Sequence, residues 1–505
     1  MKSLSKFTLK NVDPQLATIP QASVFELPEK VLQFGTGVLL RGLPDYFIDK
    51  ANRQGVFNGR VVVVKSTSKG GTDDFDKQDC LYTLCIRGIE NGKNISENII
   101  SSAISRVLSA EKDWHLILEI AHYPQLQLVV SNTTEVGIQL VKENINQHPP
   151  SSFPGKLLAV LYERYKAFFG SESSGLVIIA TELIPDNGKK LEAIVMELAH
   201  LNNLDDAFIA WLEKCNTFCN SLVDRIVPGK PDADTLLSLE KKLGYADELL
   251  SIAEPYRLWA IEGDERVASI LSFGQVDEGL IVKPDIEIYR ELKVRLLNGT
   301  HSLTAAIAFF AGKTTVKEAM ADVDLLDYVQ QLMTKEIIPS IPYQVPEKVA
   351  ADFASSVIDR FSNKSLEHLW LNITFQYTMK MKIRVLPLIL NHYKLFNTVP
   401  EYMALGFGAY LAFLRPVKKE GNQFFGNCKG KDYLIVDDQA AYFFDKIQNA
   451  PTETYITSVL GDTTLWSFDL TELPGFVSFV SDVYAAYNEC SENGSLAKLR
   501  DKANE

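Results

Sequence analysis

Cysteine is scarce in this chain: six in 505 residues, at 80, 85, 215, 219, 428 and 490, with no CxxC pair among them. That excludes a disulfide framework and the paired-thiolate zinc modules. Cys215 and Cys219 are four apart, neighbours if the segment is helical, and with no second pair they read as small core residues. Histidine is also sparse, seven in all with no HExxH or HxH arrangement, so no metal is expected. Positive charge is in deficit, with 51 Lys and Arg against 64 Asp and Glu and a net charge of −13. Nucleic acid and anionic membranes both favour a basic face, so neither is an expected partner. An anionic small molecule would have to meet a local cluster of Lys or Arg. No run reaches the roughly 18 apolar residues of a membrane helix. The N-terminal MKSLSKFTLKNVDPQL is broken by charges and has no apolar signal core, so a soluble, reduced, cytoplasmic protein is the expectation. Repeats, low-complexity tracts and Gly/Ser linkers are missing too.

What is present is an ordinary globular interior, 46% hydrophobic, over a length that predicts two domains. The run EKVLQF at 29–34 stops at Gly35, and residues 61–64 form a second apolar run. Between them Leu39, Leu40, Leu43, Tyr46, Phe47 and Ile48 recur at helical spacing, giving strand, glycine turn, helix, strand. Apolar runs at 126–130 and 176–180 and helix-patterned stretches at 154–170 and 187–203 extend the alternation. It predicts a parallel sheet with helical crossovers over about residues 25–285. From Asp285 the texture turns helical, with further stretches at 315–338, 345–361, 364–395 and 400–415 separated by proline-containing breaks. The expected fold class is α/β: a dinucleotide-binding domain over 1–284, then a mostly α-helical domain over 285–505, with a ligand cleft between them.

In FGTGVLLRG, Gly35 permits a tight turn and Gly37 a close backbone approach to a pyrophosphate at a helix N-terminus. The third glycine of GxGxxG is displaced: Leu40 stands there and Gly42 follows two later. Arg41 is placed to reach a phosphate, although a plain strand-turn-helix would show the same pattern. About 20 residues on, where a ribose-binding acid is expected, the strand ends in Lys65, Ser66 and Ser68. Lys65 could accept a 2′-phosphate or merely pair with an acid.

Lys293, Asn298 and His301, in LKVRLLNGTHSLTAA, are five and three residues apart. On one α-helix they fall within roughly a 140° arc and can face one cleft. Lysine can serve as general acid/base if burial and neighbouring Arg295 lower its pKa. Asn298 can donate to a developing alkoxide and His301 can position a hydroxyl, a set suited to metal-free hydride transfer between alcohol and ketone. The bland alternative is a solvated Lys, a capping Asn and a core His.

These residues, with QFGTGVLLRG (33–42), QDCLYTLCIRG (78–88), SNTTEVGI (131–138), NG at 187–188, FCNSLVDRIVP (218–228) and RFSN (360–363), resemble the mannitol dehydrogenase family of polyol-specific long-chain dehydrogenases and reductases. The similarity spans nearly the whole chain. It implies a Rossmann-type NAD-binding domain, a helical substrate domain, and metal independence. Lys293 would be the acid/base, Asn298 the oxyanion donor and His301 an assistant. Asn187 and Asp224 would line the cleft, with Arg360 and Lys380 as substrate contacts and Arg384 beside them. Phe34, Gly35, Gly37, Arg41, Lys65, Thr133 and Glu135 would contact the cofactor. Within the family, ATELIPDNG (180–188), VVVVKSTS (61–68) and SNTTEVGI look most like the branch that interconverts tagaturonate and altronate, which implies NAD rather than NADP and a sugar-acid substrate. Where mannitol dehydrogenases tend to carry an Asp-Asn pair, this chain has Glu182 and Leu183. Fructuronate reduction, mannitol-type polyol oxidation, and a retired nucleotide-binding regulator are the other readings. Monomer and dimer are both open.

Overall fold

The run EKVLQF forms the central strand of a six-stranded parallel sheet in the computed structural model, which describes residues 1–67, 71–133, 136–449 and 452–488. The chain folds into two compact units, the first made of 1–87 with 94–286 and the second of 88–93 with 287–505.

The first unit's strands, in chain order, are β1 (Glu29–Phe34), β2 (Arg60–Lys65), β3 (Tyr82–Glu90), β4 (Lys93–Ser101), β5 (Ile104–Ser109), β6 (Leu128–Ser131), β7 (Val177–Ala180), β8 (Thr217–Cys219), β9 (Ser221–Asp224), β10 (Ser251–Ala253), β11 (Leu258–Glu262) and β12 (Leu280–Lys283). The large sheet runs β5-β2-β1-β6-β7-β8, every pair parallel. Its strands are apolar on both sides because both sides are covered. Val31, Val61, Val63 and Val130 pack with Phe47, Trp259 and Phe273 on one face. Leu32, Val62, Val64 and Val129 pack with Ile117, Leu157 and Leu161 on the other. The chain winds outward through β2 to β5, returns to the middle, and winds the other way through β7 to β8. The order therefore reverses between β1 and β6, the switch point outside whose carboxyl ends ligands bind in such sheets.

Two smaller sheets, β10-β3-β4 and β12-β11-β9, depart from the purely parallel expectation. The β9–β11 pairing is antiparallel. Cys215 ends a helix (Asp206–Cys215) and Cys219 ends β8, so the two are not neighbours on one helix as their spacing allows. The five described cysteines are free thiols.

The second unit is helical, with an added three-stranded antiparallel sheet of β13 (Lys418–Glu420), β14 (Gln423–Cys428) and β15 (Lys431–Ile435). Its pillar is the helix Glu401–Phe413, apolar all round and therefore buried from Met403 to its end. Two glycines let neighbours approach it. A Cβ at Gly406 would lie 2.7 Å from the Leu303 carbonyl oxygen, and one at Gly408 would lie 2.6 Å from Val483. Those close approaches seat the helices Thr300–Phe310 and Phe476–Asn488. The six residues Gly88–Lys93 at the β3–β4 turn group with this unit, and the Gly92 amide donates to Asp359 Oδ2 at 3.2 Å.

Candidate active site

At the switch point of the first unit, Gly35 has φ +129°, a conformation side-chain-bearing residues rarely adopt. A Cβ there would lie 2.8 Å from the Asn132 carbonyl oxygen and 2.9 Å from Leu40. Gly37 differs: a Cβ would meet nothing within 4 Å, so the flank of this turn is open. Gly42 supplies the close packing of the displaced third glycine, because a Cβ would fall 2.8 Å from Val227. At the end of β2, Ser66 Oγ is buried without a hydrogen-bond partner.

Several residues expected at the cofactor have other occupations. Arg41 is turned into the core, where Nη1 donates to Leu249 O at 2.6 Å and the guanidinium lies over the Phe75 and Tyr82 rings. Its side chain thus points away from a phosphate, since the helical turn that carries it aims it inward. Phe34 is fully buried against Phe153, ring centroids 5.1 Å apart, so its contribution is to the strand. The Lys65 ammonium donates to the carbonyl of exposed Thr67, while the Lys65 side chain itself is buried. Thr133 commits its amide and hydroxyl to Glu182 Oε1 at 2.9 and 3.0 Å, and Ser131 Oγ holds Oε2 at 3.1 Å. Glu135, like Ser68, lies outside the described residues.

Asn187, expected at the substrate, is 1% exposed at the start of the helix Asn187–Leu201. Its Nδ2 donates to Glu182 O and Ser221 O, both at 3.0 Å, and its Oδ1 accepts from the Gly188 and Ser221 amides, both at 2.9 Å. Two donors and two accepted bonds exhaust an asparagine amide, so this side chain fastens the helix to β9 and has no capacity left for a ligand. Asp224 ends β9, buried, opposite Leu258.

In the second unit the expected α-helix through Lys293 is wound as a π-helix, Leu292–Gly299, and becomes α only at Thr300. In π winding a residue is bonded to the fifth beyond it, so Lys293 and Asn298 occupy one rung rather than the edges of a wide arc. Both are half-buried.

His301 opens the following helix and is 8% exposed. Its ring stacks on Phe361 with centroids 4.1 Å apart, and His368 and Trp370 meet it edge-on at 5.0 and 6.2 Å. Nε2 is buried with no hydrogen-bond partner. Burial, His368, Arg360, Arg384 and Lys380 together hold its pKa well below the usual histidine value. His301 is therefore neutral and can position a hydroxyl but not supply a charge. His368 itself is pushed down by burial and then by Arg360 and Lys380. Burial, with Arg384 beside it, brings the Lys380 ammonium down to about 8, and burial brings Arg384 down to about 10. Lys380 Nζ donates to Ile373 O at 2.8 Å. Three cations, Arg360 from one stretch of chain and Lys380 and Arg384 from another, thus bear on one neutral imidazole in a chain of net charge −13.

Sequence reasoning did not single out His368, Phe361, Trp370 or Ser302. The HLW triplet at 368–370 was the available signal, an imidazole beside a tryptophan in a segment that also carries cations. Among the described residues no three His, Cys, Asp or Glu side chains gather as metal ligands, and no helix is long and apolar enough to cross a membrane.

Comparison with known proteins gives a consistent pattern. Residues 29–273 match the model of the mannitol dehydrogenase Rossmann domain, and 285–488 match that of the mannitol dehydrogenase C-terminal domain. An altronate oxidoreductase of Halalkalibacterium halodurans is 40% identical over 416 residues, 82% of this chain and 80% of that protein. The altronate oxidoreductase of Bacillus subtilis is 35% identical over 453 residues, covering 89% and 90%. Among solved structures, Pseudomonas fluorescens mannitol 2-dehydrogenase in ternary complex with NAD and D-mannitol superimposes with a TM-score of 0.69 at 22% identity over all of both chains. A substrate-free D-sorbitol dehydrogenase gives 0.76 at 20% identity, covering 98% of this chain and 100% of that one. At that identity the structures speak for the fold.

Proposed function

Since this chain belongs to the mannitol dehydrogenase family and is an oxidoreductase of CH–OH groups, we propose that it interconverts tagaturonate and altronate with NAD, by hydride transfer that needs no metal. The observation that carries the sugar-acid substrate is the cationic surround of His301, where Arg360, Lys380 and Arg384 act on a buried, partnerless Nε2. A sugar acid brings a carboxylate for the cations and a hydroxyl for the imidazole. Relatives named altronate oxidoreductase at 35–40% identity support the same choice.

The first unit's residues fit a dinucleotide. The open flank at Gly37 is a cradle that any Cβ would fill, and the orphaned Ser66 Oγ at the end of β2 is a partner for a ribose hydroxyl. The Lys65 ammonium is engaged by the Thr67 carbonyl rather than offered to a 2′-phosphate, which favours NAD. A bound nicotinamide supplies the hydride for the carbonyl carbon. The protein's own groups manage the oxygen: in the reductive direction the Lys293 ammonium gives it a proton, and the Asn298 amide donates a hydrogen bond as negative charge grows there. Neutral His301 orients a substrate hydroxyl. Arg360, with Lys380 and Arg384, holds the carboxylate, the arginine fork matching its two oxygens. The free cysteines suit a reducing, cytoplasmic setting.

The test is NADH oxidation by the purified protein with tagaturonate, fructuronate and fructose in parallel. Tagaturonate should turn over fastest. Faster turnover of fructuronate would move the assignment to the other uronate, and faster turnover of fructose would remove the carboxylate site.

A further inference from the structure

Two segments that pack against each other, Leu292–Gly299 and Met381–Val385, are both wound as π-helix. This winding is rare, and the return to α leaves carbonyls that the regular ladder passes over. Here side chains take them up. Thr300 Oγ1 donates to Leu296 O at 2.6 Å and Ser302 Oγ to Asn298 O at 2.9 Å. From the other segment, Arg384 Nη1 donates to Ser302 Oγ at 3.2 Å and to Asn298 O at 3.5 Å. In return Arg295 Nη1 donates to the Ile383 carbonyl and, at 3.2 Å, to Arg384 O. The remaining edge of the Arg295 guanidinium is gripped by Glu291, Nε to Oε2 at 2.9 Å and Nη2 to Oε1 at 3.2 Å. Each segment's arginine is thus bonded to the backbone of the other. Glu291 offsets the charge of Arg295.

We propose that Arg295, locked by Glu291 and crossing to the 381–385 backbone, is a positioning residue that keeps residues 292–299 in the π winding and so holds Lys293 and Asn298 on one rung. The reciprocal bond from Arg384 braces the same rung at Asn298. Without the crossing, the segment relaxes toward α winding, and the five-residue separation swings the lysine away from the amide. The inference rests on the reading of Lys293 as the acid and Asn298 as the oxyanion donor.

Arg295→Met keeps the apolar stem and removes all four bonds. It should lower kcat about 100-fold, the scale of an ångström of misplacement at the reacting atoms, and displace the alkaline limb of the pH–rate profile. NADH affinity and the KM for tagaturonate should stay within about threefold. Arg295→Lys should not restore the rate, because one ammonium cannot span Glu291 and two carbonyls. Glu291→Gln, a milder change, should lower kcat with the same pH displacement. Wild-type kcat in Arg295→Met overturns the proposal. So does a loss confined to melting temperature with the pH profile unmoved. If Arg295→Met fails to fold, an unchanged kcat and pH profile in Glu291→Gln overturns it instead. Lys293→Ala separates the two levels: if it is inactive while Arg295→Met is normal, only the positioning role falls, and if it retains turnover, the catalytic reading falls and the positioning role with it.

Discussion

Replacing Asp45 by Asn should abolish a defined part of the protein's pH-dependent stability. Asp45 and Gln33 are both fully buried, Gln33 being the one buried polar residue of strand β1. Gln33 Nε2 donates to Asp45 Oδ2 at 3.3 Å, while Gln33 Oε1 and Asp45 Oδ1 are both buried acceptors with no donor. A single proton on Oδ1 would satisfy both, closing the cyclic pair of a carboxylic acid and an amide. Burial accordingly lifts the Asp45 carboxyl from 3.8 to about 7, against the opposing pull of Gln33 and Arg41 and with a further push from Asp49. Because the folded value is raised, the stability associated with this group is complete below the unfolded value near 3.8 and is lost as pH climbs through about 7. A rise of that size corresponds to roughly 4 kcal/mol, of which roughly 3 kcal/mol falls between about pH 5 and about pH 8. Asn carries a permanent N–H donor in place of the proton. The assay is urea unfolding at both pH values, followed by hydrogen exchange of the peptide spanning β1. The variant should gain roughly 3 kcal/mol on the wild type between about pH 5 and about pH 8. A difference between the two proteins that is the same at both pH values would refute the protonated pair.

Four further outcomes follow from the site. Lys293→Ala should lower turnover by several orders of magnitude while NADH binding, measured by fluorescence titration, is nearly unchanged. Gly37→Val should fold normally and lose NADH affinity, because its side chain enters open space, whereas Gly35→Ala should cost about 2 kcal/mol of stability through its positive φ and the Asn132 carbonyl. Thermal unfolding with and without NADH distinguishes them. Arg360→Ala should raise the KM for tagaturonate about 30-fold more than that for an uncharged ketose, a differential of about 2 kcal/mol, and equal changes would remove Arg360 from the carboxylate site. Activity should survive dialysis against a chelator, and its loss would point to a metal.

The large sheet was legible because its strands are apolar on both faces and each is followed by a glycine or polar break; β1 and β2 lie where the runs 29–34 and 61–64 place them. The peripheral strands were not. In β4, KNISENIIS, polar residues occupy most positions of an exposed edge, and β13 is exposed along its whole length, so neither leaves an apolar run to read. Local pattern reports that Lys293, Asn298 and His301 share a helix but not whether its backbone bonds skip four or five residues, since that is decided by partners such as Arg384 and Thr300. Arg41 shows the same limit: its place beside the glycine turn is visible in the string, and its aim is set by Leu249, 208 residues away. Gln33 was a missed signal, a lone polar residue inside an apolar strand that called for a buried partner.

The excursion of Gly88–Lys93 bears on how such a protein can be recombined. The first unit is made from two stretches of chain and the second from two, so the backbone passes between them at three junctions: 87/88, 93/94 and 286/287. A chimera exchanging everything beyond residue 286 with a relative would carry its host's hairpin tip into a foreign set of helices, where the Gly92 amide must find a substitute for Asp359. Splitting the gene at the same place would leave the downstream product lacking six residues of its own body. The halves of this chain are therefore poor interchangeable cassettes, and a cut-and-paste experiment should succeed only when residues 88–93 travel with the C-terminal part.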